Sequence, residues 1–416
     1  MSNDIKYFDI FVPGGYPAFT YNPRTTLALE EKVSSALNNL CKLVIVTGHT
    51  KSGKTVLVHK ILPREKAIWV DGGGIKSEDD FWSLIINGLN LFQTTEIKQA
   101  TNSSGEISGE ILGEGNIFVA KGGGKIGGKI MGSEEKATTI SRTVTSMVAA
   151  LNGLREYHIP LVIDDFHYLP KEIQGSIVRA LKPLIFEGVP IVIIAIPHRR
   201  YDAVKVEKEM TGRILPVNIP LWEESELSFI PEKGFSILGV ILDKELITDL
   251  ACQSIGSPHL IQEFCREICK INPDNLGLVS SNILQKVFAT TAETIGRPIF
   301  EKLARGPRSH SDRIKRKLKT GQEVDIYGLV LHGLSNIKPG LVTLEYEDLR
   351  SAIKEICIPE NVPNVQEVAR VLKHMAQIAA TDQSSTPVID FDEQDKRLHI
   401  TDPFFAFYLR WGNIDH

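Results

Sequence analysis

The segment Leu43–Thr55 limits the fold of this chain more than any other part of the sequence. It begins with four apolar residues, Leu43–Val46, and continues into a loop with the spacing G-x-x-x-x-G-K-T at Gly48–Thr55. The residues that follow, from Val56, can form a helix. In a strand, loop and helix of this kind, the glycines let backbone N–H groups turn toward phosphate oxygens, and the helix N-terminus attracts the anion. The segment therefore predicts a phosphate-binding loop in a domain that contains both strands and helices.

The residues of this loop have separate predicted roles. Lys54 is expected to reach the β- and γ-phosphates of a bound nucleotide, and the hydroxyl of Thr55 is expected to bind Mg²⁺. The other loop positions and the residue after them are predicted to line the nucleotide: Gly48, His49, Thr50, Lys51, Ser52, Gly53 and Val56. A glycine- and lysine-rich surface turn is the alternative for a match to so short a motif.

A second apolar segment, Leu161–Ile163, ends in Asp164 and Asp165. An acidic strand end is the expected partner of a phosphate-binding loop. Asp164 is predicted to hold Mg²⁺ through water, and Asp165 is predicted to polarise the water that attacks the γ-phosphate. We expect Lys54 and Asp164 to converge at adjacent strand ends. An acidic strand-to-loop turn is the alternative.

Further apolar strands alternate with helical patterns through residues 25–222, for example Ala67–Asp71 and Val189–Ile196. This alternation predicts an α/β fold in which a parallel sheet has helices on both faces. A segment at about 94–140 interrupts the alternation with many glycines, serines, threonines and lysines, and it predicts a glycine-loosened hairpin. The insertion is either a surface loop or a contact to a partner through its lysines, Lys121, Lys125 and Lys129.

Four other residues lie where a nucleotide site takes additional groups. His198 follows an apolar strand and is expected to sense the γ-phosphate, with a plain polar cap as the alternative. Arg213 precedes the next strand and is predicted to reach the nucleotide of a neighbouring subunit, unless it is an ordinary surface arginine. Tyr21 and Arg24, in a turn-forming N-terminal arm, are candidates for contacts to the base. A packed arm is the other possibility.

The pattern is mainly helical beyond residue 222. A basic run at 305–319 is either a linker or a phosphate contact to DNA. The candidates for DNA contact are Arg308, Arg313, Lys315, Arg316 and Lys317. Three predicted helices and a predicted hairpin follow the basic run, and together they indicate a winged-helix domain with Asn364–Ala380 as its recognition helix.

Composition restricts the partners of the chain. The sequence is 42% hydrophobic and 24% charged with a net charge of −4, so any contact to nucleic acid or membrane has to be local. No apolar run approaches the roughly 18 residues of a membrane span, and the N-terminus lacks the pattern of a signal peptide. The five cysteines are scattered, which is typical of reduced thiols. These features predict a cytoplasmic protein without membrane contact.

With these motifs in place, the chain resembles prokaryotic P-loop ATPases of the AAA+/STAND group. Gly48–Thr55 is similar to their Walker A motif, and Leu161–Asp165 is similar to Walker B. Gly256–Pro258 is similar to the Gly-x-Pro turn of STAND lids, which implies that Pro258 lies near the adenine. The ending Asp402–Trp411 is similar to the tails that follow a winged helix in such proteins. The resemblance implies four parts: an N-terminal arm (1–24), an ATPase domain (25–222), a helical lid (223–290), and a basic linker with a winged helix (291–416).

The resemblance also implies a function. ATP and Mg²⁺ would bind between the sheet and the lid, and rotation of the lid and winged helix would expose a surface for oligomerisation or for a partner effector protein, commonly in antiphage signalling. Asp164-Asp165 in place of Asp-Glu, and His259 in place of the lid arginine, favour a slowly hydrolysing switch. The alternatives are an ATP-dependent DNA-binding regulator, as in transposition or replication initiation, and a nucleotide-binding scaffold without useful hydrolysis.

Overall fold

The computed structural model describes most of the chain. The described residues are 5–38, 40–91, 94–101, 107–111, 136–143, 145–196, 210, 212–271, 279–307, 313–341, 343–380, 387–393 and 395–414. At 94–101, 107–111 and 136–143 the backbone alone is described. Two compact units divide the chain. The sheet unit comprises Glu30–Val46 and Val58–Val217, and the C-terminal unit comprises Met1–Leu29, Thr47–Leu57 and Asn218–His416.

The regular elements of the described residues are numbered in chain order. The strands are β1 (Leu43–Gly48), β2 (Ile68–Asp71), β3 (Thr94–Thr101), β4 (Ile107–Ile111), β5 (Lys136–Thr143), β6 (Leu161–Asp164), β7 (Ile191–Ala195), β8 (Ile214–Ile219), β9 (Arg316–Lys317), β10 (Glu323–Val324), β11 (Thr343–Glu345), β12 (Ile389–Asp392) and β13 (Arg397–Ile400). The α-helices are α1 (Tyr7–Ile10), α2 (Leu29–Ser34), α3 (Lys54–Ile61), α4 (Glu78–Gly88), α5 (Ser146–Tyr157), α6 (Lys171–Phe186), α7 (Glu224–Ile237), α8 (Lys244–Gln253), α9 (Pro258–Ile271), α10 (Ser281–Ile295), α11 (Arg297–Arg305), α12 (Ile326–Ile337), α13 (Tyr346–Ile356), α14 (Val365–Ala380) and α15 (Pro403–Trp411).

A five-stranded sheet in the order β2-β6-β7-β1-β8 carries the predicted nucleotide motifs. Strand β6 pairs in parallel with both β2 and β7. Every residue of β1 and β7 is buried, which explains why their sequences are continuous apolar runs rather than alternating ones. The predicted α/β fold, a parallel sheet with helices on both faces, is confirmed.

The order of the strands corrects one expectation. We expected the strands that end near Lys54 and at Asp164 to be adjacent, but β7 lies between β1 and β6. The expectation was wrong because strands that carry related motifs need not be hydrogen-bonded neighbours. In the sheet, β7, the strand that precedes His198 in the sequence, therefore separates β1 from β6.

The insertion of the sheet unit lies between α4 and α5. Its three described strands form an antiparallel sheet in the order β4-β3-β5, so the predicted hairpin has a third strand and extends to Thr143 rather than to about residue 140. The lysines that were predicted to contact a partner, Lys121, Lys125 and Lys129, lie outside the described residues.

The C-terminal unit contains one long helix with an internal proline. Helix α7 runs without a break through Pro231, although a proline inside a helix usually breaks or kinks it. Packing explains the continuity, since α7 is held closely against the N-terminal arm. A Cβ on Gly234 would lie 2.2 Å from Phe11, and Phe11 itself has no exposed surface.

The predicted elements of the winged helix are present in the C-terminal unit. Helices α12, α13 and α14 occur in order, and β12 pairs with β13 as the predicted antiparallel hairpin. Strand β11 adds a third strand, in the order β11-β13-β12. The predicted recognition helix begins where expected. Asn364 accepts a hydrogen bond from the Glu367 N–H, and the Glu367 carboxylate accepts one from the Asn364 N–H.

An aromatic cluster joins α15 to the helices before it. The ring centroid of Phe264 lies 4.9 Å from those of Phe288 and Phe407, and all three side chains are buried. Burial of rings at these distances contributes apolar contact in addition to edge-to-face attraction. Helix α15 is therefore an integral part of the C-terminal core.

Across the described ranges, no helix combines the length and apolar character that a membrane span needs.

Candidate functional site

The phosphate-binding loop joins β1 to α3. Lys51 and Gly53 have positive φ angles of 61° and 89°, so the loop contains two left-handed residues. Glycine adopts this conformation without a Cβ penalty, which accounts for Gly53. Gly48 is required for a different reason: a Cβ there would lie 2.9 Å from the backbone oxygen of Ile219 in β8. The two glycines of the motif therefore serve separate needs, one conformational and one steric.

Lys54 is the first residue of α3 and is 8% exposed. Its ammonium group donates hydrogen bonds to the backbone oxygens of Gly48, at 3.0 Å, and His49, at 2.9 Å. These bonds hold the ammonium charge over the loop, where it is predicted to contact the phosphates. Thr55, the predicted Mg²⁺ ligand, is exposed at the second position of the same helix.

Ser52 indicates what this loop can hold. Its Oγ is buried, and within the described residues it has no hydrogen-bond partner. Its backbone oxygen accepts a hydrogen bond from the indole nitrogen of Trp222 at 2.9 Å. A buried hydroxyl without a partner is costly, so an additional group is expected at this position. A phosphate oxygen suits the loop, because the ammonium of Lys54 and the N-terminus of α3 both favour an anion.

The acidic end of β6 is a tight turn in the sheet unit. Asp164 ends the strand, and its carboxylate accepts a hydrogen bond from the Asp165 N–H at 2.9 Å. Asp165 has a φ of 50°, a left-handed conformation that aspartate tolerates better than most residues. Both residues are half-buried. Asp164 and Asp165 are therefore accessible enough to contact a hydrated ion or water.

No preformed metal cage is present in the part of the chain that the structure describes, since no cluster of three or more His, Cys, Asp or Glu residues occurs there. Mg²⁺ commonly binds through one or two protein groups and takes its remaining ligands from phosphate and water. The predicted ligands, Thr55 and Asp164, fit this mode of binding by their number and their oxygen donors.

Gly72 supports the acidic turn and was not identified from the sequence. It follows β2 directly, and a Cβ at this position would lie 2.5 Å from the backbone oxygen of Asp165. The Gly72-Gly73-Gly74 triplet after a predicted strand was the available signal. Whether this position tolerates a side chain depends on the backbone at the end of β6. The sequence alone does not show that β6 lies beside β2.

Replacing Gly72 by alanine is expected to displace the Asp164–Asp165 turn, because the added methyl group overlaps the Asp165 carbonyl. We expect a loss of about 1–3 kcal/mol of stability and a clear fall in any Mg²⁺-dependent nucleotide hydrolysis. The matched control is Gly74→Ala, since a Cβ on Gly74 meets no described atom within 4 Å. Thermal unfolding and phosphate release should be measured for both variants; equal behaviour of the two would contradict this role for Gly72.

Arg24 lies in a buried network of the C-terminal unit. Its guanidinium group pairs with Glu226 at 2.7 Å and donates to the backbone oxygens of Pro220 and Leu221, each at 3.1 Å. It also lies over the ring of Trp222, 4.7 Å from the centroid. These contacts agree with the packed-arm alternative for this residue. Contact of Arg24 with a nucleotide base stays a prediction.

The other predicted site residues have defined positions. Tyr21 is half-buried in the N-terminal arm, and Pro258 is the first residue of α9, after a turn in which Gly256 has a φ of 68°. The guanidinium group of Arg213 lies over the ring of Phe186, 5.6 Å from its centroid, and Phe186 is 67% exposed. His198 lies outside the described residues.

Two of the arginines that were predicted to contact DNA form ion pairs within the chain. Arg313 pairs with Asp325 at 2.5 Å, and Arg316 pairs with Glu367 at 2.8 Å; their side chains are only 15% and 13% exposed. As placed, neither guanidinium group is available to a DNA phosphate. Lys315 and Lys317 are exposed. Arg308 is not among the described residues.

A contact between the phosphate-binding loop and α15 was also missed by sequence reasoning. The ammonium nitrogen of Lys51 lies 5.2 Å from the ring centroid of Phe404. The His259 ring meets the same phenyl group edge to face, with 4.9 Å between centroids. Asp402, just before α15, accepts a hydrogen bond from the Phe405 N–H at 2.9 Å and is 7% exposed. The similarity of Asp402–Trp411 to the tails of such ATPases did not indicate the surface on which this helix packs.

Burial raises the pKa of Asp402 above its ordinary value of 3.8, against the opposing effects of the Phe405 and Phe404 N–H groups and the charges of Lys51 and His259. The folded protein therefore binds this proton more tightly than the unfolded chain, and its stability falls as the pH rises from 3.8 to the folded pKa. Asp402→Asn should remove this dependence and keep the helix cap. Urea unfolding from about pH 3.5 to about pH 7 should show the variant gaining stability relative to wild type through that window. Parallel curves would contradict the prediction.

The similarity of this chain to known proteins is a similarity of fold. No protein-family model and no curated protein sequence matches the chain. Among solved structures, a Walker-type ATPase of Pyrococcus abyssi superposes with a TM-score of 0.51 and 16% identity, over 92% of this chain and 94% of that one. The ORC2 protein of Aeropyrum pernix, solved in ADPNP and ADP complexes, gives a TM-score of 0.50 and 12% identity, over 96% of this chain and 95% of that one. The chain thus shares the α/β fold of these two solved proteins.

Proposed function

We propose that the protein binds ATP with Mg²⁺ at the phosphate-binding loop and acts as a slowly hydrolysing molecular switch. The observation that carries the proposal is the buried ammonium of Lys54, held over the loop carbonyls at the start of α3. A cation in this position can bind a phosphate that enters the loop. The solved proteins of similar fold, one a Walker-type ATPase and one with bound ADPNP and ADP, support the choice of nucleotide.

Binding exchanges weak contacts for stronger ones. Lys54 would give up two neutral carbonyl acceptors for phosphate oxygens, and hydrogen bonds to charged acceptors are roughly twice as strong as neutral ones. Ser52 would gain the partner that its buried Oγ lacks among the described residues. The backbone N–H groups of the left-handed loop would complete the site.

Hydrolysis would depend on the predicted acidic pair. Thr55 and Asp164 are the proposed Mg²⁺ ligands, and the bound ion would neutralise charge on the phosphates. Asp165 is the proposed group that orients the attacking water. Its side chain is one methylene shorter than glutamate, and this shorter reach supports slow turnover. His198 is still the proposed sensor of the γ-phosphate.

The switch would act through assembly or through a partner effector protein, as in antiphage signalling. Arg213 is the proposed arginine for a neighbouring subunit. Its support is local: the guanidinium lies over Phe186, a large apolar side chain that is 67% exposed. An exposed aromatic beside an arginine is a common combination in protein interfaces.

Three measurements on the purified protein test this function. Calorimetry should detect binding of a nonhydrolysable ATP analogue in the presence of Mg²⁺. Phosphate release should be slow but above background. Light scattering should show a change in particle size with the analogue. Binding without phosphate release would indicate the scaffold alternative, and no binding at all would overturn the proposal.

A second candidate function is an ATP-dependent DNA-binding regulator. It is favoured by the exposed Lys315 and Lys317 and by Arg370 and Lys373, which are exposed on the proposed recognition helix α14. Against it, Lys373 pairs at 2.8 Å with Glu393, which lies in the acidic turn between β12 and β13. Duplex-DNA binding should be measured with and without ATP at two salt concentrations. A steep fall in affinity with salt would support DNA contact, and no binding at low salt would eliminate this candidate.

A further inference from the structure

Lys51 is an unusual residue for its position in the loop. Its backbone is left-handed, with a φ of 61°, where a glycine would be unstrained. The residue is exposed, and its side chain leads away from the loop to the face of Phe404. The loop therefore extends one cationic group toward α15 while Lys54 stays over the loop's own carbonyls.

Phe404 is held in place on the other side of this contact. It is the second residue of α15, whose start is capped by the buried Asp402. The ring of His259 packs against it edge to face, and the Cβ that Gly14 lacks would lie only 3.2 Å from that imidazole. The start of α9 thus contacts the phenyl ring through His259, and the N-terminal arm packs against the same imidazole.

We propose that Phe404 and the phosphates of a bound nucleotide compete for the ammonium of Lys51, so that α15 is a nucleotide-responsive latch on the loop. This inference rests on the proposed nucleotide binding. In the latched state that we propose, the cation lies on the ring, in the arrangement that the structure shows, and holds the start of α15. With nucleotide, the phosphates attract Lys51, since an ion pair with phosphate is stronger than a partly exposed cation–π contact.

Release of the latch has a path into the predicted winged helix. The backbone oxygen of Leu409 in α15 accepts a hydrogen bond from the Ser335 hydroxyl of α12 at 2.7 Å. The ring of Trp411, at the end of α15, packs on Phe288 of α10, with 4.9 Å between centroids. A shift of α15 would therefore be transmitted to α12, the first of the three predicted winged-helix helices, and to α10.

The test compares nucleotide affinities of matched variants. Phe404→Leu should tighten ADP and nonhydrolysable ATP analogue binding by about two- to fivefold, the affinity equivalent of one exposed cation–π contact. Phe391→Leu is the control, because Phe391 is also a half-buried ring but lies in β12 against Tyr346. In a Lys51→Ala background, Phe404→Leu should no longer change the affinity. An equal gain in both backgrounds, or no gain in the wild type, would overturn the latch.

Hydrogen exchange separates this inference from the function on which it rests. Lys51→Gln should speed exchange of the first α15 amides even without nucleotide, and adding nucleotide to the wild type should do the same. This measurement also serves if Phe404→Leu fails to fold. Faster exchange in Lys51→Gln combined with no nucleotide binding by the wild type would mean that the contact is right and the proposed function is wrong. Unchanged exchange in Lys51→Gln would overturn the latch itself.

Discussion

Lys54→Ala is expected to lower ATP turnover by about 10²–10³-fold, the usual effect of removing one preorganised charge donor from a reacting oxyanion. Lys54 begins α3 and holds its ammonium over the loop, so no other described side chain of the motif offers the same charge at the same place. The buried position makes the charge more effective, because water screens it little. Binding of ATP should weaken together with turnover.

The control for this variant is Lys60→Ala, which removes an exposed lysine from the same helix. Phosphate release should be followed at saturating ATP, and circular dichroism should establish that both variants are folded. Unchanged turnover in folded Lys54→Ala protein would show that the loop does not carry the activity. Equal losses in both variants would indicate a general effect on α3.

Arg24→Met is expected to cost about 3 kcal/mol of stability, the lower end of the range for breaking a buried ion pair. The change leaves the Glu226 carboxylate without its partner and leaves the carbonyls of Pro220 and Leu221 without their donor. The side chains of Arg24 and Glu226 are only 3% and 18% exposed, so water restores little of what is lost.

Arg155→Met provides the matched comparison. Arg155 pairs with Glu187 at 2.6 Å, but the two side chains are 44% and 40% exposed. An exposed pair contributes at most about 1 kcal/mol. Urea unfolding of both variants should therefore separate them clearly. If Arg24→Met costs no more than Arg155→Met, the buried network is not a significant source of stability.

Sequence reasoning was reliable where the determinants are local. The strand, loop and start of α3 follow from glycine spacing and an apolar run within a few residues, and the hairpin of β12 and β13 follows from its own turn. The helix boundary at Asn364 was readable because its cap binds a residue only three positions away.

The remaining features depend on partners distant in sequence. Arg24 and Glu226 are 202 positions apart, and nothing near Arg24 in the chain shows that it will be buried. Gly72 depends on the backbone of β6, and Lys51 depends on α15. The order of β6, β7 and β1 is equally nonlocal. These features were missed or misjudged because long-range packing, and not local pattern, decides them.

The left-handed backbone at Lys51 has a consequence for how such a chain could be engineered. Glycine at this position would relieve roughly 1 kcal/mol of conformational strain, so a design aimed at robustness alone would choose it. The natural residue accepts that strain, with a φ of 61°, and places a long charged arm on a distant ring. A Lys51→Gly protein would thus have a less strained loop. On the proposed latch, it would still bind nucleotide, but α15 would no longer respond to the binding.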